Sequence, residues 1–473
     1  MDNKAKQRSK TGCFTCRRRK KKCDERHPTC TNCARNALLC TWPTESDSLR
    51  PTLRRRDWRA PKASSSSEIS KMMTVFVVPK PQIVQQLLSH FARYAPMWLS
   101  TRSEPEKHKV LDQIIPLALE NTLILDCVLT VAAADLAKNQ KSDAGLHGAA
   151  VHHFGRAVAG LCLALDKEAS DIAETVGDEN LLAIMLLCLH ETQNFSESDR
   201  LLPHLNAAAN LIWQKLYSTP ANETLRDFLI ELFCYFCSLT AFSHGSGLAL
   251  HQAQQIFDSP LLPEHLRRGT VMGISQEIFL TIFRVAYLMA ALENSTMSPE
   301  PVKLELEGIQ AWLQNVPMPI FKDVDAPQPV DTGQFNDAVT AELYRLACLL
   351  HLSKVLNPTI QDSDVSIQTL VSMLVETVHL LAPDSPSNSI LCWPLVMAGM
   401  SAILPAHQRI IAARLNSIYE VLRSDIFNHS ARFLRTAWKQ GRRKSECQEK
   451  YPKREIIVLT SHLYDLKLRT VLA

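Results

Sequence analysis

From about residue 79 onward, apolar side chains recur every three to five positions along the chain. Ile83, Leu87, Leu88 and Phe91 share one helical face. Phe154, Val158, Leu161 and Leu165 follow at intervals of four, three and four residues. The stretch 181–189 is apolar all round, which predicts a helix enclosed on every side. A second apolar segment covers 114–136, and similar patterns at 205–217, 225–242, 275–293, 338–355, 365–382, 390–404 and 407–438 predict further helices. Prolines fall between these segments, at Pro220, Pro319, 326–329 and 383–386, where they end helices. No internal repeat is visible, and the only β-branched patch is 456–460. Before residue 79 the periodicity stops. Pro43, Pro51 and Pro61 interrupt any helix, Arg54, Arg55 and Arg56 form a basic knot, and four serines at 64–67 make a flexible polar tract.

Composition sharpens this picture. Glycine is scarce, 14 of 473 residues, while 46% of positions are hydrophobic and 21% charged. A sizeable helical core is therefore expected, and wholesale disorder is not. The longest run resembling a membrane span, 390–406, contains Pro394, Gly399, Ser401 and Pro405 and reads as a core helix. The first residues are charged and lack an apolar leader, so a soluble intracellular protein without a membrane partner is expected. Charge is uneven. Residues 1–62 hold 18 basic and 6 acidic side chains, whereas the rest hold 34 and 42. A basic head on an acidic body points to a nucleic-acid contact at one end.

Six of the 14 cysteines lie in that head, at Cys13, Cys16, Cys23, Cys30, Cys33 and Cys40. The spacing is a doubled C-x2-C-x6-C. In a reducing compartment such clustering implies metal rather than disulfides. Zinc takes four tetrahedral ligands and accepts thiolate readily. Six thiolates cannot fill two separate four-ligand sites, but they suffice if two sulfurs are shared, so a two-zinc cluster is predicted. A ββα finger would need paired histidines, and only His27 lies nearby; one four-cysteine site would leave two cysteines unused.

The segment CFTCRRRKKKCDERHPTCTNCARNALLC, with Pro28 two residues before the fourth cysteine, resembles the fungal binuclear zinc cluster (Zn2Cys6) regulators. The resemblance implies that Cys13 and Cys30 bridge both zinc ions. Cys16 and Cys23 would complete one, and Cys33 and Cys40 the other. It also implies a short helix after the second cysteine that presents its end to CGG-type triplets. The six cations Arg17, Arg18, Arg19, Lys20, Lys21 and Lys22 lie there. Lys20 falls at the base-reading position, where lysine can donate to guanine O6 and N7. Arg17 and Lys22 match phosphate-contacting positions. Lys21 stands where relatives often carry a smaller or apolar residue. Arg19 could reach base or backbone, and Arg35 would touch phosphate on the second half.

The helical part resembles the second type of fungus-specific regulatory domain. The carriers are Pro116-Leu117-Ala118-Leu119 with LILDCVLTVAAADLA, HHFGRAVAGL at 152–161, LLAIMLLCLHE at 181–191, HLNAAANLI at 204–212 and WPLVMAG at 393–399. That domain is all-helical and regulatory, with a proposed effector-sensing role. Catalytic patterns fall short. His190-Glu191 lacks its second ligand because Asn194 replaces histidine. Cys234 and Cys237 lie in an apolar helical run and read as core thiols, and Gly245-Ser246-Gly247 follows no strand. His152, His153 and His204 read as cap or surface residues, and Trp98, Trp213 and Trp393 as core. Acidic residues are dispersed; Asp323, Asp325, Asp331 and Asp337, near Phe321 and Phe335, are the best candidate for an acidic activation segment, with a plain exposed loop as the alternative.

These readings predict a mostly all-α protein with a small two-zinc six-cysteine module, a flexible linker and a large α-helical domain. The expected divisions are a basic lead-in (1–12), the module (13–41), a basic, Ser-rich linker (42–78), the helical domain (79–440) and a basic tail (441–473). The function implied is a nuclear, sequence-specific DNA-binding transcription regulator of the RNA polymerase II type. The alternative is a small-molecule-sensing or partner-binding helical coregulator that needs another protein to engage DNA. No heptad coil follows the module, because Pro51 separates Leu49 from Leu53. The chain would then form a homodimer or heteromer through the helical domain, or bind a single triplet, and a small-molecule effector is a further expected partner.

Overall fold

A computed structural model describes residues 13, 16, 21, 23–26, 29–35, 81–140, 143–170, 178–194, 200–218, 220–244, 250–316 and 332–448. The chain divides into two units, Met1–Val75 and Phe76–Ala473. Among the described residues all regular structure is helical, with no strand. The patch at 456–460, the linker and Gly245-Ser246-Gly247 lie outside them.

Among the described residues of the first unit, Thr31–Arg35 form a short helix, α1. In the second unit the helices are α2 (Pro81–Leu99), α3 (Lys109–Glu120), α4 (Thr122–Asn139), α5 (Ala144–Ser170), α6 (Glu179–Gln193), α7 (Leu201–Lys215) and α8 (Glu223–His244). There follow α9 (Leu250–Phe257), α10 (Leu262–Leu266), α11 (Gln276–Glu293), α12 (Pro299–Asn315), α13 (Thr332–Leu356), α14 (Val365–Val378), α15 (Cys392–Ser401), α16 (Pro405–Leu422) and α17 (Asp425–Gln448).

The predicted central helix is α6, in which every residue from Leu181 to Leu189 is buried. It packs between α4 and α7 and touches α5, α8 and α17. The residues at 83, 87, 88 and 91 lie on α2, with Leu87 and Phe91 fully enclosed. One contiguous apolar core runs from Leu87 to Leu434, so the second unit is organised around a single interior. Trp393 is buried against Tyr344 and Phe242, as core packing predicts. Trp98 and Trp213 are half-buried against the same core.

Two predicted segments are each broken in two. The apolar segment at 114–136 is interrupted at Asn121, whose extended backbone ends α3. Its side chain accepts from the N–H groups of Leu123 (2.9 Å) and Ile124 (3.4 Å) and so starts α4. The segment at 407–438 is interrupted at Arg423, which takes a left-handed φ of 57° and closes α16. Three helices lacked a sequence prediction. α9 and α10 are only 8 and 5 residues long, and α12 is largely polar, burying Val302, Leu306 and Leu313. Among the described residues, 144–166 in α5 is long and apolar enough to cross a membrane by length and composition. Its inner side, with Ala149, Ala157 and Leu161, is buried in the core of the unit.

Two sequence expectations need correction. Asp337 is not part of an exposed acidic segment. It lies on α13, 6% exposed, and accepts from the Arg102 guanidinium at 2.8 Å. His153 is not a surface or cap residue: it is 5% exposed and pairs with Asp126 at 2.8 Å, which Arg156 also meets at 2.8 Å. Isolated polar residues on an amphipathic helix look solvent-facing in sequence. Here a carboxylate buried at each site needs a cationic or N–H partner.

Candidate metal centre

Among the described residues of the first unit, the buried ones are all cysteines. Cys13, Cys16, Cys23, Cys30 and Cys33 are all 6% exposed or less. Two matching turns bring them together. In the first, the Cys16 N–H donates to Cys13 Sγ at 3.4 Å, and in the second the Cys33 N–H donates to Cys30 Sγ at 3.4 Å. The C-x2-C spacing thus works as a cap, with sulfur as the acceptor. The Cys30 carbonyl accepts from Ala34 at 2.9 Å, which starts α1 and carries Cys33 inward.

The sulfurs of Cys13, Cys16, Cys23 and Cys30 all lie within 4.8 Å of one another. Cys13 Sγ is 3.8 Å from Cys30 Sγ, and Cys16 Sγ is 3.6 Å from it. A tetrahedral zinc with Zn–S bonds of about 2.3 Å has S···S edges of about 3.8 Å. The four thiols therefore fit one zinc ion. Cys33 Sγ lies 3.8 Å from Cys13 and 3.9 Å from Cys16, which puts a fifth sulfur beside the same group. Cys40 lies outside the described residues.

The thiols differ in acidity. Burial pushes Cys30 up, but the Cys33 N–H and the surrounding thiols outweigh it and bring the group down to about 6. Cys16 is pushed up to about 12, by burial first and by its contact with Cys30 second. Without a cation, sulfurs this close cannot all ionise. A divalent ion supplies the missing positive charge, and metal binding and proton release are then coupled.

Around the sulfurs, Asp24 holds the loop to α1. Its carboxylate accepts from the Thr31 N–H at 3.1 Å and from the Thr31 hydroxyl. That hydroxyl bond, foremost, holds the carboxyl below its ordinary range. Glu25, at φ 57°, turns the chain between them. Sequence reading missed Asp24, because it caps a helix seven residues away rather than the usual two or three. Of the predicted DNA-contact residues, Lys21 is exposed, with its N–H on the Cys16 carbonyl at 3.0 Å. Arg35 is exposed at the end of α1. Arg17, Arg18, Arg19, Lys20 and Lys22 lie outside the described residues.

The other sequence candidates sit in the second unit. Cys234 and Cys237 are fully buried on α8, and burial pushes both thiols far up, as inert core residues require. His190 lies on α6, and Asn194 Nδ2 donates to its carbonyl at 2.8 Å, which is a helix-ending contact. His204 is half-buried, and burial pulls it down.

Comparison with known proteins agrees with both units. Residues 11–49 match the fungal Zn(2)-Cys(6) binuclear cluster domain, and residues 86–455 match the fungal specific transcription factor domain. White-opaque regulator 2 of Candida albicans is 50% identical over 52 residues, covering 11% of this chain and 12% of that protein. Transcription factor lfc1 of Flammulina velutipes is 50% identical over 62 residues, 12% of this chain and 22% of its own length. Zinc cluster transcription factor CZF1 of Candida albicans is 61% identical over 36 residues, 8% of this chain and 9% of that one. The chain thus spans less than a quarter of the length of each of these relatives. No solved structure matches the chain.

Proposed function

This chain belongs to the fungal proteins that carry a Zn(2)-Cys(6) cluster and a fungal specific transcription factor domain, and from that premise we propose that it is a nuclear, sequence-specific DNA-binding transcription regulator. The observation that carries the reading is the packing of four cysteine sulfurs at zinc-ligand separations within a basic segment. Two zinc ions are held by Cys13, Cys16, Cys23, Cys30, Cys33 and Cys40, with Cys13 and Cys30 shared. Zinc held there would supply the positive charge that these thiolates need, and the two C-x2-C turns would present their sulfurs to it. A module of about 30 residues has too little apolar core to fold alone, and structural zinc supplies on the order of 10 kcal/mol or more.

Lys20 reads guanine in a CGG-type triplet of RNA polymerase II promoters. Arg17, Lys22 and Arg35 neutralise phosphates, and Arg18, Arg19 and Lys21 add positive field along the groove. A single module buries roughly 600–1,000 Å2, so a second one is needed for useful affinity. The helical domain supplies it by pairing two chains or by recruiting another protein. The module spans 13–41, the linker 42–78 and the helical domain 79–440, whose last helix α17 continues to Gln448, into the basic tail at 441–473.

The test is selection from a randomised duplex pool with the zinc-loaded full chain at fixed salt, with and without chelator. Zinc-dependent enrichment of CGG triplets is expected. Lys20→Ala should weaken the preferred site by about 1–3 kcal/mol and relax discrimination at guanine. Loss of non-specific binding with sequence preference intact would refute the role of Lys20, and enrichment indifferent to chelator would refute the zinc reading.

A further inference from the structure

The second unit contains a cavity of about 70 Å3 where the ends of several helices meet. It is lined by α2, α6 and α8 from the first half of the unit and by α15, α16 and α17 from the second. Trp98, Tyr235, Phe236 and Phe427 line it together with aliphatic side chains, and no charged side chain does. Trp98, Thr192, Ser389 and Ile426 are half-buried and form its rim.

One polar group in the wall stands out. Gln193, the last residue of α6, is 3% exposed. Its Oε1 is buried without a hydrogen-bond partner among the described residues, although its side chain lines the cavity. The backbone at this point is fixed rather than loose. Lys138 donates to the Gln193 carbonyl and lies 3.5 Å from Asp425 on α17. A buried amide oxygen that nothing satisfies is costly, and Gln193 lines this cavity beside the hydroxyl-bearing residues Ser100, Thr101, Thr192, Ser389 and Ser424.

We infer that this cavity is a binding site for a small uncharged molecule with a hydroxyl or N–H group, which donates to Gln193 Oε1 while its apolar part rests against Trp98 and Phe236. An ion would lose its hydration with no counter-charge in the wall. The enclosed space is about half the 150 Å3 that an enclosed benzene takes. The ligand therefore enters by its polar end and leaves part of its apolar body at the rim beside Trp98. The site joins α6 to the start of α17, so occupancy would stiffen the contact between the two halves of the unit. The inference rests on the regulatory reading of the helical domain for its purpose, but not for its test.

The experiment is a titration of the zinc-loaded full chain with phenol, toluene and benzoate, followed by ligand-observed NMR. Saturable binding of phenol is expected, tighter than toluene by roughly fivefold, the value of one neutral hydrogen bond, with no saturable benzoate binding. In Gln193→Leu the preference for phenol should vanish while toluene still binds. Equal affinities for phenol and toluene in the wild type would overturn the inference. So would the absence of saturable binding, or a phenol preference that survives Gln193→Leu. The wild-type comparison stands even if the variant fails to fold. A chelator should leave the phenol titration unchanged while abolishing triplet selection, so failure of one reading is distinguishable from failure of the other.

Discussion

Arg226 offers the sharpest test of how the helical unit is held together. Its guanidinium on α8 meets Asp178, just before α6, through Nε at 3.1 Å and Nη2 at 3.0 Å. Nη1 donates to the carbonyls of Lys215 at 3.2 Å and Ser218 at 2.9 Å, at the end of α7. Both charged side chains are 5% exposed or less. The group therefore ties three helices at one buried point. In Arg226→Leu the Asp178 carboxylate stays buried without its cation. Breaking a buried pair in this way costs about 3–5 kcal/mol. The control is Arg267→Ala, whose partner Glu264 and own side chain are both about two-thirds exposed or more; a pair of that kind contributes about 0.2–1 kcal/mol. The double variant Asp178→Leu/Arg226→Leu removes both charges. It should recover much of the single-variant loss, less about 1–3 kcal/mol for the orphaned carbonyls. Urea unfolding of the full chain, followed by helical circular dichroism, measures all four proteins. A cost below about 1 kcal/mol for Arg226→Leu would show that water or rearrangement satisfies Asp178, and the reasoning would fail.

Other outcomes follow from the same physical terms. Chelating zinc should expose the amides of the cysteine module to hydrogen exchange and abolish DNA binding, while helical circular dichroism of the second unit is retained. Gly399→Ala should destabilise by about 1–3 kcal/mol: the new methyl would lie 2.9 Å from Leu434 Cδ2 and 3.2 Å from its Cγ, in a fully buried position. Hydrogen bonds from His153 and Arg156 outweigh burial at Asp126 and hold its carboxyl below the ordinary range. Its contribution is thus present above the unfolded value of about 3.9 and lost as pH falls through the lower folded value. The stability gap between wild type and Asp126→Asn, measured by urea unfolding, should therefore shrink as pH is lowered below about 4; a gap that widens would reverse the assignment.

Local spacing carried most of the large-scale reading. Apolar periodicity identified the helical segments because burial of one face repeats every 3.6 residues wherever a helix packs. Asn121 and Ser298-Pro299 were available cap signals for α4 and α12, but the continuous apolar run at 114–136 hid the first and the polar composition of α12 hid the second. The left-handed turn at Arg423 left no mark, since arginine has no special tendency toward that conformation.

Chemistry that depends on near neighbours is legible along the chain: a cysteine cluster at metal-binding spacing inside a basic segment, and a helical body whose central segment is apolar all round. Which distant groups meet is settled by the folded path of the chain. Asp337 finds Arg102 across 235 positions of chain, and His153 finds Asp126 across 27. Asp24 caps a helix from outside its own turn, and Gln193 lines a cavity to which six helices contribute. Helix formation and chelation by paired cysteines are short-range and leave a periodic or spaced record. Pairing of buried polar groups depends on the path of the whole chain, and a single sequence carries no local trace of it.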